Sequence, residues 1–277
     1  MGFFDRFVED FPGEKLESGK LLEVSTWPLM ENKRKNLMGN NNQSVQIIRD
    51  RISRAAQRAG RGAEDITLVA VSKTKPIEDI VAAYEAGVRH FGENRTEEFE
   101  EKARALTHLV DLKWHFIGHL QTRQSGPVAR YAHFFHAVDR IKIAQRLSSQ
   151  LGEIQRNLPI FIQVNVSGEE SKSGFGCKNW KTDDRQVEEL LGAIGEIAIL
   201  PNLEILGLMT MAPFDAQEDT LRDIFRNMAG LSARVQEAFP RLRAQQLSMG
   251  MSGDFEIAIE EGATLVRIGS AIFGTRG

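Results

Sequence analysis

A chain of 277 residues with 42% hydrophobic and 26% charged side chains has the composition of an ordinary soluble protein, of a size common for a single α/β barrel. Its formal net charge of −3 and pI near 6.1 give no electrostatic basis for binding nucleic acid or an acidic membrane surface. One cysteine, Cys177, excludes an internal disulfide and suits a reducing compartment, and no stretch approaches the ~18 apolar residues of a membrane helix.

The first residues, MGFFDRFVED, lack the basic region of a secretory signal, and Arg6 stands where a myristoylation motif needs Ser or Thr. A cytoplasmic location is therefore expected. Residues 1–42 carry the charge cluster ENKRKN at 31–36 and end in the polar tract GNNNQS at 39–44, without sustained periodicity. They are expected to be a poorly ordered or accessory N-terminal extension. Phe3, Phe4, Phe7 and Phe11 are spaced for a short amphipathic helix there.

Residues 43–277 are regular. Val45, Ile48, Ile52, Ala55 and Ala59 stripe one helix face up to Gly60. Strands are then predicted near 66–72, 88–92, 112–117, 133–138, 159–166, 203–210, 245–249 and 264–268. Helical patterns lie near 76–86, 95–106, 121–131, 140–151, 183–198, 217–238 and 253–261, and a last one opens at Ser270. Pro76 suits the start of the first of these, because its missing N–H costs nothing there, and Gly87 closes it. Eight strand–helix units predict an α/β fold, a single (β/α)8 TIM barrel, in one domain.

In such a barrel the chemistry sits at the C-terminal ends of the strands. Lys73 ends the apolar run of TLVAVSKTKP (67–76), where a primary amine on a rigid element can form a Schiff base with a carbonyl; the other reading is a solvated lysine that merely ends a strand. The seventh and eighth predicted strands run into LSMGMSGDF (247–255) and VRIGSAIFG (266–274). Gly250 and Gly269 let the backbone approach a ligand, while Ser248, Ser252 and Ser270 add hydroxyls, a pattern that fits either ordinary helix caps or a phosphate cradle. Asp254 and Glu256 would repel phosphate, which makes the Gly269–Ser270 turn the stronger anchor.

Arg267 alternates with Val266 and Ile268, so it faces the barrel interior, where it needs an ion-pair partner or a ligand. Asn94 in FGEN and His115 in WHFIGHLQ are candidate pocket liners. His115 and His119 are four apart, but Gly118 starts a loop between them and no HExxH is present, so no zinc site is expected. A strand-tip amine, a phosphate cradle across the barrel mouth and an inward arginine together suit a phosphorylated aldehyde such as pyridoxal phosphate.

The motifs AVSKTKP, FGEN, WHFIGHLQ, NVSGEESKSGFG, GLMTM and LSMGMSGDFEIAIEEGATLVRIGSAIFG, in this order, resemble the YggS/PROSC family of pyridoxal phosphate homeostasis proteins. The resemblance covers roughly residues 43–276. It implies the alanine racemase N-terminal type of barrel, with pyridoxal 5'-phosphate (PLP) held as an aldimine on Lys73. It further implies phosphate contacts from the LSMGMS and RIGS loops, Arg267 near the pyridine nitrogen, and Lys75 as an accessory residue in cofactor transfer. The chain departs from the family pattern at Arg95, and at Arg123 and Gln124, where an asparagine and a lysine are usual.

Two functions compete on the sequence: buffering or delivery of PLP to PLP-requiring apo-enzymes, and PLP-dependent amino-acid racemisation or other Schiff-base chemistry. The sequence ends at Gly277, just after the eighth strand, so the C-terminal β-domain of the racemases is not expected, and a monomer is. Tyr84 and Tyr131, the two tyrosines, fall in outer helices, which leaves a two-base racemase without its second base. PLP homeostasis is the expected role.

Overall fold

The computed structural model describes residues 27–169 and 171–274. The N-terminal phenylalanines, Gly2 and Arg6 lie outside the described residues. The chain divides into two units, Met1–Asn36 and Leu37–Gly277, and the barrel belongs to the second.

Helix α1 (Trp27–Arg58) begins well before Gln43 and continues through both polar tracts. Around Asn41 tertiary contact outweighs the low helix propensity of asparagine: the residue is buried, and its Nδ2 donates to Asp79 O at 3.4 Å. There follow β1 (Thr67–Val71), α2 (Ile77–Glu85), β2 (His90–Glu93), α3 (Thr96–Ala105), β3 (Lys113–Phe116), α4 (Ser125–Tyr131), β4 (Phe134–Val138), α5 (Ile141–Glu153) and β5 (Leu158–Asn165). The second half comprises β6 (Phe175–Gly176), α6 (Asp184–Ala198), β7 (Leu203–Met209), α7 (Glu218–Ala238), β8 (Gln246–Ser248), α8 (Phe255–Glu260), β9 (Leu265–Ile268) and α9 (Ser270–Phe273).

Among these, β6 has no counterpart in the predicted strands. It is a two-residue strand that the NVSGEESKSGFG loop lays along β5, Phe175 opposite Val164. The other eight strands run parallel in the order β4-β3-β2-β1-β9-β8-β7-β5, and pairing of β4 with β5 closes the ring. This is a (β/α)8 TIM barrel. Fully buried aromatic side chains such as Phe91, Phe99, Phe116, Phe135 and Phe225 fill the core. Among the described residues no helix is long and apolar enough to cross a membrane.

Three arginines from neighbouring elements donate to carbonyls at helix ends. Arg49 donates to Ala86 O and Gly87 O beyond α2, at 3.2 and 2.8 Å. Arg61 reaches Ile259 O and Ala263 O around the end of α8, at 3.4 and 2.7 Å. Arg156 serves α4 through Ala129 O at 2.6 Å, Arg130 O, and Ala132 O at 2.9 Å. Removing one such donor strands several partly buried carbonyls at once. Arg156→Ala is expected to lower unfolding stability by about 1–3 kcal/mol, read as a fall in the urea midpoint at unchanged slope.

Candidate functional site at the barrel mouth

Strand register decides which tips meet. β1 pairs with β9 with Ala70 opposite Ile268, and with β2 with Val71 opposite Gly92. Lys73, two residues past β1, therefore emerges between the Gly269–Ser270 turn on one side and Asn94 on the other. All four line a single cavity of about 680 Å³ at the C-terminal ends of the strands, together with Lys75, His119, Ser252, Asp254 and Arg267. The cradle expected across the mouth from Lys73 thus lies beside it, because closing the ring makes the first and last strands neighbours.

The loop that carries Lys73 is held from below. Lys102 of α3, 5% exposed, donates to Ser72 O at 2.8 Å, to Glu93 Oε1 at 2.8 Å and to Glu98 Oε1 at 2.6 Å. Ser72 Oγ also donates to Glu93 Oε1 at 2.6 Å, and the Thr74 N–H donates to Glu98 Oε1 at 2.5 Å. Thr74 is held at φ 63°, in the left-handed region that costs a β-branched residue strain. Burial raises the Glu93 carboxyl above its usual range, while Lys102 and the Ser72 hydroxyl pull it down. Lys75 Nζ donates to Phe273 O at 2.8 Å and so ties the same loop to α9.

The β8 and β9 tips present donors. Ser252 Oγ accepts from Gly269 N at 3.3 Å and Ala271 N at 3.5 Å, so a hydroxyl and two backbone N–H groups converge there. Gly250 does not line the cavity. Its φ of 95° turns the chain below the mouth, where an added Cβ would lie 2.7 Å from Ala258 Cβ. Asp254 is buried with its carboxyl above the usual range, chiefly from desolvation, and its Oδ1 accepts the Met251 N–H. Glu256 is turned away, paired with Arg51 of α1 at 2.7 Å.

Arg267 is 4% exposed and faces the interior as strand alternation predicts. Its partners are carbonyls and a hydroxyl: Ser248 O at 2.6 Å, Ser248 Oγ at 2.5 Å and Thr210 O at 2.7 Å. Burial lowers its pKa to about 10, against the favourable field of Asp254. The guanidinium therefore remains a cation at neutral pH.

His115 and Ser248 are not pocket liners. Both are fully buried one layer beneath the mouth, in a hydrogen-bonded series across the barrel. His90 Nδ1 meets His115 Nε2, His115 Nδ1 meets His136 Nε2, and His136 Nδ1 meets Ser248 Oγ, each at 2.8 Å. A guanidinium only donates. Ser248 Oγ is fully buried, and apart from Arg267, which it accepts from, its one partner among the described residues is His136 Nδ1, so its own proton is satisfied only by donating there. His136 then donates through Nε2 to His115, and His115 through Nε2 to His90, so all three rings are neutral Nε2–H tautomers. Burial, then neighbouring charge, holds the pKa of His115 and of His136 well below the usual imidazole range. Nothing local in the sequence marks His136, which lies 112 residues from Ser248.

This series has a pH signature. The unfolded chain accepts protons on these rings below about pH 6.5, and the folded chain refuses them. Stability is fully present above that pH and falls as pH drops toward the depressed folded values, by about 1.4 kcal/mol per pH unit for each of the two fully buried rings. Urea denaturation between about pH 7.5 and 5 reads the slope, and imidazole 15N NMR is expected to show Nε2–H on His90, His115 and His136.

Residues 44–277 match the family described as alanine racemase, N-terminal domain. The alanine racemase of Clostridium difficile, 15% identical, shares the fold alone, with a TM-score of 0.64 over 86% of this chain and 57% of that one. The mouth lysine and the glycine-serine turn thus stand on an alanine-racemase-type barrel. The pyridoxal phosphate homeostasis protein of Escherichia coli is 42% identical over 231 residues, 83% of this chain and 94% of its own length. PipY of Synechococcus elongatus, solved with PLP bound, is 34% identical with a TM-score of 0.69, covering 76% of this chain and 93% of that one. The chain belongs to the YggS/PROSC family of pyridoxal phosphate homeostasis proteins.

Proposed function

We propose that this chain binds PLP covalently through Lys73 and buffers it or delivers it to PLP-requiring apo-enzymes in the cytoplasm. One observation carries the reading: Lys73, the Gly269–Ser270 turn and the donor-only Arg267 reach the same cavity from adjacent strands. The residues present fit the cofactor. Asn94 Oδ1 is buried there with no hydrogen-bond partner, and Ser252 Oγ takes the two N–H groups that an oxyanion would claim. Lys73, Lys75 and Arg267 outnumber Asp215 and Asp254 around the cavity, which favours an anion.

When bound, PLP supplies an aldehyde for a primary amine, a phosphate and a pyridine ring. In this reading Lys73 Nζ takes the aldehyde, and Ser252, Ser270 and the N–H of Gly269 hold the phosphate. Arg267 would offer the ring nitrogen N–H donors only. A nitrogen that accepts from a cation stays unprotonated, and an unprotonated ring draws electrons weakly. The same residues therefore favour holding the cofactor over turning a substrate over.

Racemisation is the second reading, prompted by the shared barrel, and it needs a further acid–base group opposite the lysine. Tyr84 hydrogen-bonds Asp111, and Tyr131 OH accepts from Arg104 at 3.1 Å; neither lines the cavity. PLP homeostasis is thus favoured. Lys73→Ala is expected to abolish borohydride-trapped pyridoxyl adduct, seen by mass spectrometry, while circular dichroism shows the barrel intact. Full-stoichiometry adduct on the variant would overturn the assignment.

A further inference from the structure

His119 follows Gly118 on the loop after β3 and lines the same cavity as Lys73. Its side chain is 52% exposed, whereas that of its partner Asp139, just past β4, is 6% exposed. His119 Nδ1 lies 2.7 Å from Asp139 Oδ2. The other carboxylate oxygen accepts from Arg140 Nη1, and Arg140 Nη2 donates to Leu120 O at 2.7 Å, which fixes the pair against the loop.

A carboxylate held by a guanidinium is an acceptor only. His119 Nδ1 therefore carries the proton, and Nε2 is left as the basic nitrogen. This tautomer is the reverse of that on the three interior rings, whose series ends on a donor. Among the described residues that line the cavity, His119 is the only imidazole. The charged groups that touch the pair or share its cavity are Arg140, Lys73, Lys75, Asp215, Asp254 and Arg267.

We propose that His119, oriented by Asp139, is the proton acceptor for a primary amine entering the mouth, so that bound cofactor is surrendered to amines and not only by dissociation. The proposal rests on the Lys73 reading and deepens it. An amine at neutral pH arrives as an ammonium and cannot attack until it loses a proton. That proton passes to His119 Nε2. Starting from the N-protonated linkage, the incoming nitrogen adds to the cofactor's aldehyde-derived carbon and hands a second proton to Lys73 Nζ. The carbon–Nζ bond then breaks as the new carbon–nitrogen double bond forms, and Nζ takes the proton held by His119 and leaves as an ammonium. One amine replaces another, and no oxidant or reductant is needed.

The test uses the full chain reconstituted with PLP, and loading is measured before any amine is added. n-Propylamine stands for a lysine side chain, and glycine in a parallel arm for free amino acids. Loss of the bound-cofactor absorbance is followed across pH at equal loading. His119→Gln is expected to slow amine-dependent release by roughly tenfold or more at neutral pH. Asp139→Asn is expected to slow release as well and, in imidazole 15N NMR, to lose the preference of His119 for the Nδ1–H form.

In cofactor-free protein, imidazole 15N NMR is expected to place the neutral His119 proton on Nδ1. Wild-type release rates in His119→Gln, acceleration by neither amine, or Nε2–H on His119 would each overturn the proposal. Wild-type protein that never loads would instead count against the Lys73 reading, a separate failure registered at the loading step.

Discussion

The parallel pairing of β1 with β9 is the contact on which the mouth depends. It joins the first and last strands of the chain, and the pairing of β4 with β5 completes the ring. In a sheet whose strands simply followed chain order without closing, the first and last would be its two edges, and the amine of Lys73 would lie far from the N–H groups of Gly269 and Ala271. Closure brings together an electrophile's natural partner and an anion's natural partner. The helices then hold that ring from outside, and arginines such as Arg156 finish the helices whose last carbonyls would otherwise have no donor.

Inside the ring, electrostatics is ordered by groups that have no choice. Arg267 cannot accept a hydrogen bond and the buried Ser248 hydroxyl has His136 as its one possible acceptor among the described residues, and the proton positions on Ser248, His136, His115 and His90 follow from those two facts. Asp139, held by Arg140, cannot donate, and the opposite proton position on His119 follows from that. The buried Lys102–Glu93 pair obeys the same logic. Lys102 makes three hydrogen bonds and Glu93 Oε1 accepts two, although Glu93 Oε2 is buried without a partner among the described residues, and removing Lys102 would leave the carboxylate stranded beneath the Lys73 loop.

Much of this was legible along the chain, and the missing part has a definite physical cause. Alternation along a strand reveals which face a residue takes, and it correctly turned Arg267 inward. It does not reveal depth. His115 and Ile117 share a face by parity, yet Ile117 lines the mouth and His115 sits one layer lower, stacked on Phe134 at 4.4 Å between ring centroids. Ser248 is misread in the same way. The histidine series is invisible to local pattern because its members come from β2, β3, β4 and β8. Asn41 shows the converse failure: a polar tract that reads as irregular is helical because a tertiary partner receives it.

The difference between a barrel that holds PLP and one that turns over substrate then comes down to what surrounds one lysine. A racemase-type site needs a protonated ring to gather electrons and a second base on the far face of the substrate. Here the ring nitrogen would meet a cation that only donates, and the phenols are outside the cavity. The imidazole that does line the mouth belongs to a loop, half exposed, where it can reach an amine arriving from solvent. A base in that position serves exchange at nitrogen better than proton abstraction at carbon. On the proposed reading, the arrangement that favours capture and release of the cofactor is the same one that disfavours turnover at carbon.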